Sequence, residues 1–348
     1  MYTLASIIEY NSQKSRIADI SFFPDGSRFA VTCENANEVC IYNTHDQKLL
    51  RVYRNPDANF DQPHGIVVTD GYIITGQKHD LNKPGTFNIF RIDSDSNAPV
   101  CEFVTPFPHL REIHSIDWRN DILIASYCEQ ENKIGAIVSY KYDDNTGKIN
   151  GIIDIHESGF MKLGDTKGIA FNTTGDRVYT TFSSARPTTW FQRICYRIYT
   201  HVTDSINLLL RTCSVNTRIK QLPKTFENGI AYLTIDKDGK FSEKIEKVIC
   251  RNKFCRLENI KCIGDCYVIT DAINKNVCIY NIKNDPVFSR PVQTIQLDKP
   301  MPHGVGFSPD GNNLVITTFG HEIKNNRILW NKWLMPLENK ILIFMHVG

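Results

Sequence analysis

The chain reads as an all-β protein, a six-bladed β-propeller. Three observations predict this. A phrase recurs six times, and its fullest copy is Pro302-His303-Gly304-Val305-Gly306-Phe307-Ser308-Pro309-Asp310-Gly311. The internal period is about 45–50 residues, as expected when a chain repeats one unit of short strands and tight turns. Finally, the last copy ends at the C-terminus one strand short, while Thr3 to Tyr10 form an apolar strand that belongs to no other copy. Pairing the two ends completes the sixth blade and leaves no open edge between first and last blades.

Each copy has the same order of elements. The first strand starts at Ala18-Asp19-Ile20, His64-Gly65-Ile66, His114-Ser115-Ile116, Lys167-Gly168-Ile169, Glu258-Asn259-Ile260 or His303-Gly304-Val305. A tight turn follows at Asp25-Gly26, Asp70-Gly71, Asn120-Asp121, Thr174-Gly175, Gly264-Asp265 or Asp310-Gly311. Such pairs supply the positive-φ positions that short hairpins need. The second strand is apolar, as in Phe29-Ala30-Val31-Thr32 and Tyr267-Val268-Ile269-Thr270. The third alternates aromatic and β-branched residues, as in Val39-Cys40-Ile41-Tyr42 and Phe87-Asn88-Ile89-Phe90, the period of a half-buried strand. A polar turn and an outer strand close the blade.

One domain is expected over residues 1–348, with blades near 14–55, 60–105, 110–156, 163–250, 254–298 and 300–348 plus 2–10. Two insertions break the period, at 184–226 in the fourth blade and 320–338 in the sixth. Both fall between second and third strands, so both should rise on the face where the first strands begin. They carry Trp190, Phe191, Trp330 and Trp333. These aromatics suit a lid over a channel-mouth site, a cap of small helices, or a contact with a protein partner or membrane surface.

The formal charge is +2, which gives no electrostatic footprint for nucleic acid. No apolar run reaches the roughly 18–20 residues of a membrane-spanning helix. The first ten residues lack a basic start and a cleavage site, unlike a signal peptide. Several of the 11 cysteines lie inside strands, where reduced thiols act as small apolar groups. A cytoplasmic protein is therefore expected. Cys250, Cys255, Cys262 and Cys266 contain no CxxC pair, which speaks against a zinc knuckle.

With the blade frame in place, Pro302-His303-Gly304-Val305-Gly306-Phe307-Ser308-Pro309-Asp310-Gly311 resembles a blade start of the YncE-like, YVTN-repeat and lactonase-like propellers, relatives of WD40 repeats. The resemblance extends over nearly the whole chain as a blade pattern. It implies the fold; the superfamily includes scaffolds, lactonases and metal-containing lyases, so it does not imply one chemistry. No blade carries the Gly-His and Trp-Asp pair of true WD40 repeats.

The repeat aligns six positions around one axis: Ala18, His64, His114, Lys167, Glu258 and His303. Three histidines at one repeat position, out of ten in the chain, are more than chance supplies. His64, His114 and His303 with Glu258 make a ligand set for one divalent metal, with zinc, iron and calcium undecided. A metal with an open position would polarise a carbonyl or activate a water, the chemistry of a lyase or hydrolase. Polar residues after the second strands, Glu34, Gln77, His79, Glu129, Asp271 and His321, would assist. Lys167 argues differently. Its ammonium would repel a cation, pair with Glu258, or hold a small anionic ligand with help from imidazole N–H groups and the Gly65, Gly168 and Gly304 amides. In a third reading the histidines bind only backbone or water. The functional expectation is a small polar ligand or metal held at the channel mouth. The alternative is a non-catalytic interaction scaffold using the rim and the aromatic insertions. No Gly-x-Ser-x-Gly elbow and no phosphate loop occurs.

Overall fold

A computed structural model shows six four-stranded antiparallel sheets. It describes residues 1–10, 16–54, 61–78, 83–128, 135–157, 165–183, 228–243, 245, 247–249, 256–283, 288, 290–298, 301–319, 323–324, 327–328 and 339–347. Blade 1 runs Ile17–Phe22, Arg28–Cys33, Glu38–Asn43 and Leu49–Arg54 from axis to rim. Blade 2 runs Pro63–Val68, Tyr72–Gln77, Thr86–Arg91 and Cys101–Val104. Blade 3 runs Ile113–Arg119, Ile122–Tyr127, Ala136–Asp143 and Lys148–His156. Blade 4 runs Asp165–Phe171, Arg177–Ser183, Asn228–Thr234 and Lys247–Ile249. Blade 5 runs Leu257–Ile263, Cys266–Asp271, Asn276–Asn281 and Gln293–Gln296.

Blade 6 starts with Met301–Phe307, Asn313–Phe319 and Lys340–His346. Its outer strand is Tyr2–Glu9, paired antiparallel with Lys340–His346 from Tyr2↔His346 to Glu9↔Lys340. The two ends of the chain thus close the ring. Each first strand also packs against the first strands of both neighbours, so the inner strands form a complete circle. Aliphatic and aromatic side chains of adjoining blades fill the wedges between sheets, as where Phe87 and Ile89 of blade 2 meet Ile116, Tyr127 and Tyr140 of blade 3.

The turn chemistry behaves as its residues dictate in five blades, with positive φ at Gly26, Asn120, Gly175, Gly264 and Gly311. Blade 2 differs. Gly71 does not take positive φ, and Thr69 closes that turn, its amide donating to the Tyr72 carbonyl while the Tyr72 amide donates to its hydroxyl.

One feature of the inner strands sets up the axis. In all six blades the pairing of first and second strands slips at or beside the aligned position, as between Ile17 and Ile20 or Pro302 and Val305. A bulge leaves backbone groups without ladder partners. Second-strand hydroxyls take them up. The Asp19 amide donates to Thr32 Oγ1 (3.0 Å), and that hydroxyl donates to the His64 carbonyl of the next blade (2.6 Å). Thr270 does the same between the Asn259 amide (2.9 Å) and the His303 carbonyl (2.7 Å). Thr317 joins the Gly304 amide (2.8 Å) to the Ala18 carbonyl (3.1 Å), and Ser126 joins the Ser115 amide to the Lys167 carbonyl. Each latch ties a blade to its neighbour just where the aligned side chains leave the backbone.

The fourth-blade insertion lies between Ser183 and Asn228, and the sixth-blade insertion between Phe319 and Lys340. Trp190, Phe191, Trp330 and Trp333 lie outside the described residues, as do His79, Glu129 and His321. Among the described residues no helix is long and apolar enough to cross a membrane. All seven described cysteines are free thiols.

Candidate metal centre on the propeller axis

His64, His114 and His303 converge at the axis. Their ring centroids lie 4.2 Å (His64–His114), 4.9 Å (His64–His303) and 5.4 Å (His114–His303) apart. One ring nitrogen from each falls within 4.8 Å of the others, and this is the His/Cys/Asp/Glu grouping compact enough for one ion among the described residues. All three rings are buried, at 1–3% exposure, so water does not surround them.

Backbone contacts decide what the rings present. His64 Nδ1 lies 2.6 Å from the His114 carbonyl, and His303 Nδ1 lies 2.6 Å from the Ala18 carbonyl. A carbonyl oxygen only accepts, so both Nδ1 atoms carry the proton and donate. The opposite nitrogen, Nε2, then holds a lone pair. A hydrogen bond of this kind at one ring nitrogen fixes the tautomer of a histidine. Burial keeps the rings neutral: it drives His64 and His114 well below the ordinary imidazole value, helped by neighbouring His114 and His303 in the first case and by the Lys167 ammonium in the second. His303 is lowered to about 3, chiefly by burial. Three neutral imidazoles with donor lone pairs result.

Glu258 joins this group, with Oε2 3.4 Å from His114 Nε2 and 3.6 Å from His303 Nε2. Its charge is already matched. Lys167 Nζ approaches Oε2 at 2.9 Å, and Arg256 Nε contacts Oε1. Burial alone would raise this carboxyl, but Arg256 and Lys167 hold it well below the usual range. Of the outcomes open to Lys167, the structure shows the ion pair with Glu258.

Glu34 follows the second strand of blade 1, where its amide donates to the Arg16 carbonyl (2.9 Å). Its Oε1 lies 3.2 Å from His64 Nε2, with Arg16 at 3.7 Å and Lys78 at 3.9 Å. Gln77 and Asp271 are buried but turn to their own blades: Gln77 Nε2 donates to Thr75 Oγ1, and Asp271 accepts from the Arg256 amide and from Asn274. The axis therefore gathers His64, His114, His303, Glu258, Lys167 and Glu34. Arg16 and Arg256 were not expected. They occupy equivalent places, two residues before the aligned positions Ala18 and Glu258, and that shared offset is the signal that marks them.

Below this layer the next residue of each first strand alternates around the ring: Asp19, Gly65, Ser115, Gly168, Asn259, Gly304. A Cβ on Gly304 would sit 2.5 Å from the Ala18 carbonyl oxygen and 2.6 Å from Asp19 Cα, so the glycine is needed for blades 6 and 1 to approach. Asn259 Nδ2 donates to Asp19 Oδ1 at 2.7 Å, linking blades 5 and 1 over that glycine.

No family model matches the sequence, and no curated protein matches it. Solved structures do. A luciferin-regenerating enzyme superposes with a TM-score of 0.60 at 10% identity, covering 99% of this chain and 96% of that one. The hydrazine synthase of Kuenenia stuttgartiensis superposes with a TM-score of 0.57 at 11% identity, covering 94% and 83%. Both are β-propeller proteins. At these identities the likeness is one of fold.

Proposed function

We propose that the protein binds one divalent transition metal at the channel mouth through His64, His114 and His303, and that the metal serves lyase or hydrolase chemistry on a small polar substrate. One observation carries this reading: one ring nitrogen from each of His64, His114 and His303 lies within 4.8 Å of the others, while backbone carbonyls hold the Nδ1 atoms of His64 and His303. His64 Nε2 and His114 Nδ1 have no hydrogen-bond partner. A buried polar atom without a partner costs about 1–3 kcal/mol, and a metal ion is the species that would use these lone pairs without protonating rings that burial keeps neutral. Three protein ligands leave room for a water or a substrate oxygen, which a bound ion would polarise. The ion pair between Lys167 and Glu258 favours this reading over an anion held by Lys167. The resemblance to YncE-like propellers is compatible with it.

The test is metal content. Purified protein, or protein stripped by chelator and titrated with Zn²⁺, Mn²⁺ or Co²⁺, should take up about one ion per chain. The double variant His64→Asn, His303→Asn should abolish uptake and still fold, because an asparagine amide can replace Nδ1–H while removing Nε2. A native protein that takes up no ion at all sinks the reading.

A further inference from the structure

Acids and bases around the histidines are layered by depth. The carboxylates gathered there, Glu34, Glu258, Asp271 and Glu112, are buried, with at most 6% of each exposed. Three cations keep part of their side chains in solvent: Arg16 at 15%, Lys78 at 25% and Arg256 at 31%. Their places in the chain explain this. Arg16 and Arg256 stand two residues before the aligned positions, outside the start of a first strand. Lys78 directly follows the strand Tyr72–Gln77, whose end pairs with Pro63 at the start of the blade 2 first strand. All three therefore lie on one face of the propeller, outward of the imidazoles.

Each cation reaches inward to a carboxylate that stands beside a ring. Arg16 (3.7 Å) and Lys78 (3.9 Å) approach Glu34, which lies 3.2 Å from His64 Nε2. Arg256 contacts Glu258, which lies 3.4 Å from His114 Nε2. The two guanidinium groups also feel each other: burial first, and Arg256 after it, lower the Arg16 value against the pull of Glu34. Like charges held near one another cost free energy, and the acids that offset these lie on the inward side. Among the described residues, a molecule approaching the histidines from this face meets positive charge, and a bound divalent ion would add to it.

We propose that the substrate of the metal centre is a small oxyanion, a carboxylate or phosphate, held by Arg16 and Arg256 with Lys78 while a second oxygen of the same molecule reaches the ion. This inference rests on the metal reading above. It differs from an anion held by Lys167, whose ammonium is buried against Glu258. Guanidinium groups offer planar pairs of donors that fit either oxyanion, and the lysine adds charge without that geometry. Holding the anionic group fixes where the second oxygen falls, which is how remote contacts orient a reacting atom.

Calorimetric titration tests this with glycolate, methylphosphonate and the neutral glycolamide as probes. Full-length protein is used, both Zn²⁺-loaded and chelator-stripped. Loaded protein should bind one of the two anions at least about tenfold more tightly than glycolamide, and the preferred anion names the oxyanion. That preference should shrink as salt rises, because partly exposed charges are screened. Arg16→Gln should still take up one Zn²⁺ but lose about tenfold or more in anion affinity, the scale of a charge-assisted hydrogen bond. Arg16→Lys, the second variant, keeps the charge beside Glu34 and should recover only part of the loss. Lys141→Gln, which removes an exposed charge beside Asp121 at the opposite end of blade 3, should change nothing. Equal binding of all three probes by protein that holds its ion overturns the proposal and spares the metal reading. So does unchanged anion affinity in Arg16→Gln, or an equal loss in Lys141→Gln. Protein that takes up no ion overturns the metal reading; the cationic site then stands only if stripped protein still prefers an anion to glycolamide and loses that preference in Arg16→Gln.

Discussion

The same repeat position produces two different half-rings. On one side, blades 2, 3 and 6 place His64, His114 and His303 in the aligned position; on the other, blades 4 and 5 place Lys167 and Glu258 there. The charged side is self-contained. Lys167 and Glu258 neutralise each other at 2.9 Å, and Arg256 completes the carboxylate. The imidazole side is incomplete. His64 Nε2, His114 Nδ1 and Glu34 Oε1 are buried without hydrogen-bond partners. Both halves hang from the same bulged strands and the same hydroxyl latches, so backbone alone does not explain the contrast. Side chains that satisfy one another stabilise a fold, while buried acceptors without hydrogen-bond partners are the feature that the proposed metal would account for.

The largest expected effect lies on the charged side. Lys167→Met strands Glu258 with Arg256 alone at an almost fully buried position. Removing one member of a buried pair destabilises by about 3–5 kcal/mol, and the low end applies because Arg256 remains. The denaturant midpoint should fall accordingly, and Lys167→Met with Glu258→Gln should recover most of the loss. His303→Asn, by contrast, should change stability little and metal uptake strongly. Equal destabilisation by Lys167→Met and His303→Asn would erase the distinction between the halves.

Beneath both halves lies Asp19. Burial raises its carboxyl to about 6, against the pull of the Lys261 ammonium, the Ile20 and Ile66 amides and the Asn259 amide. A folded-state value above the unfolded one near 3.8 means the folded protein holds the proton more tightly. That contribution to stability is complete below about pH 4 and is lost as the pH rises through about 6. Asp19→Asn keeps an oxygen for Asn259 Nδ2 and removes the charge. It should stabilise the protein at pH 7 by about 2–3 kcal/mol relative to pH 4, where the two proteins should be nearly alike. Urea midpoints of both proteins at the two pH values measure this. A difference that does not depend on pH would show that the Asp19 carboxyl is not held protonated into this range.

These contrasts also show what could be read from residue order. The blades were legible because period-two strands and glycine-bearing turns are local features, and the closing strand was legible because one copy lacked a partner. The convergence of His64, His114 and His303 followed from the frame alone, since equivalent positions in a closed ring must face one axis. The tautomers were not legible. They depend on how close the His114 and Ala18 carbonyls of neighbouring blades come, a distance between strands rather than a spacing along the chain. For the same reason Lys167 had three outcomes on paper and one in space. Glu34 could be named as polar and near, but its approach to His64 and the pairing of Glu258 with Lys167 are again distances between blades. The latching hydroxyls were in view too, at Thr32, Ser126, Thr270 and Thr317, yet a threonine in a strand reads as ordinary β-propensity until the bulge beside it is known.

Those hydroxyls yield the smallest prediction and the sharpest control. Thr32 carries the His64 carbonyl on the imidazole side, and Ser126 carries the Lys167 carbonyl on the charged side. Each also accepts the amide of its own blade, from Asp19 or Ser115. Thr32→Val and Ser126→Ala each leave one buried amide and one buried carbonyl without this partner, and each should cost about 1–3 kcal/mol in chemical denaturation. The two losses should be alike, because the latch is the same device on both sides. Metal uptake should survive in both, since neither change removes a ring nitrogen or a carboxylate from the axis. If Thr32→Val alone abolished uptake, the position of the His64 backbone, rather than the identity of its side chain, would separate the two halves of the ring.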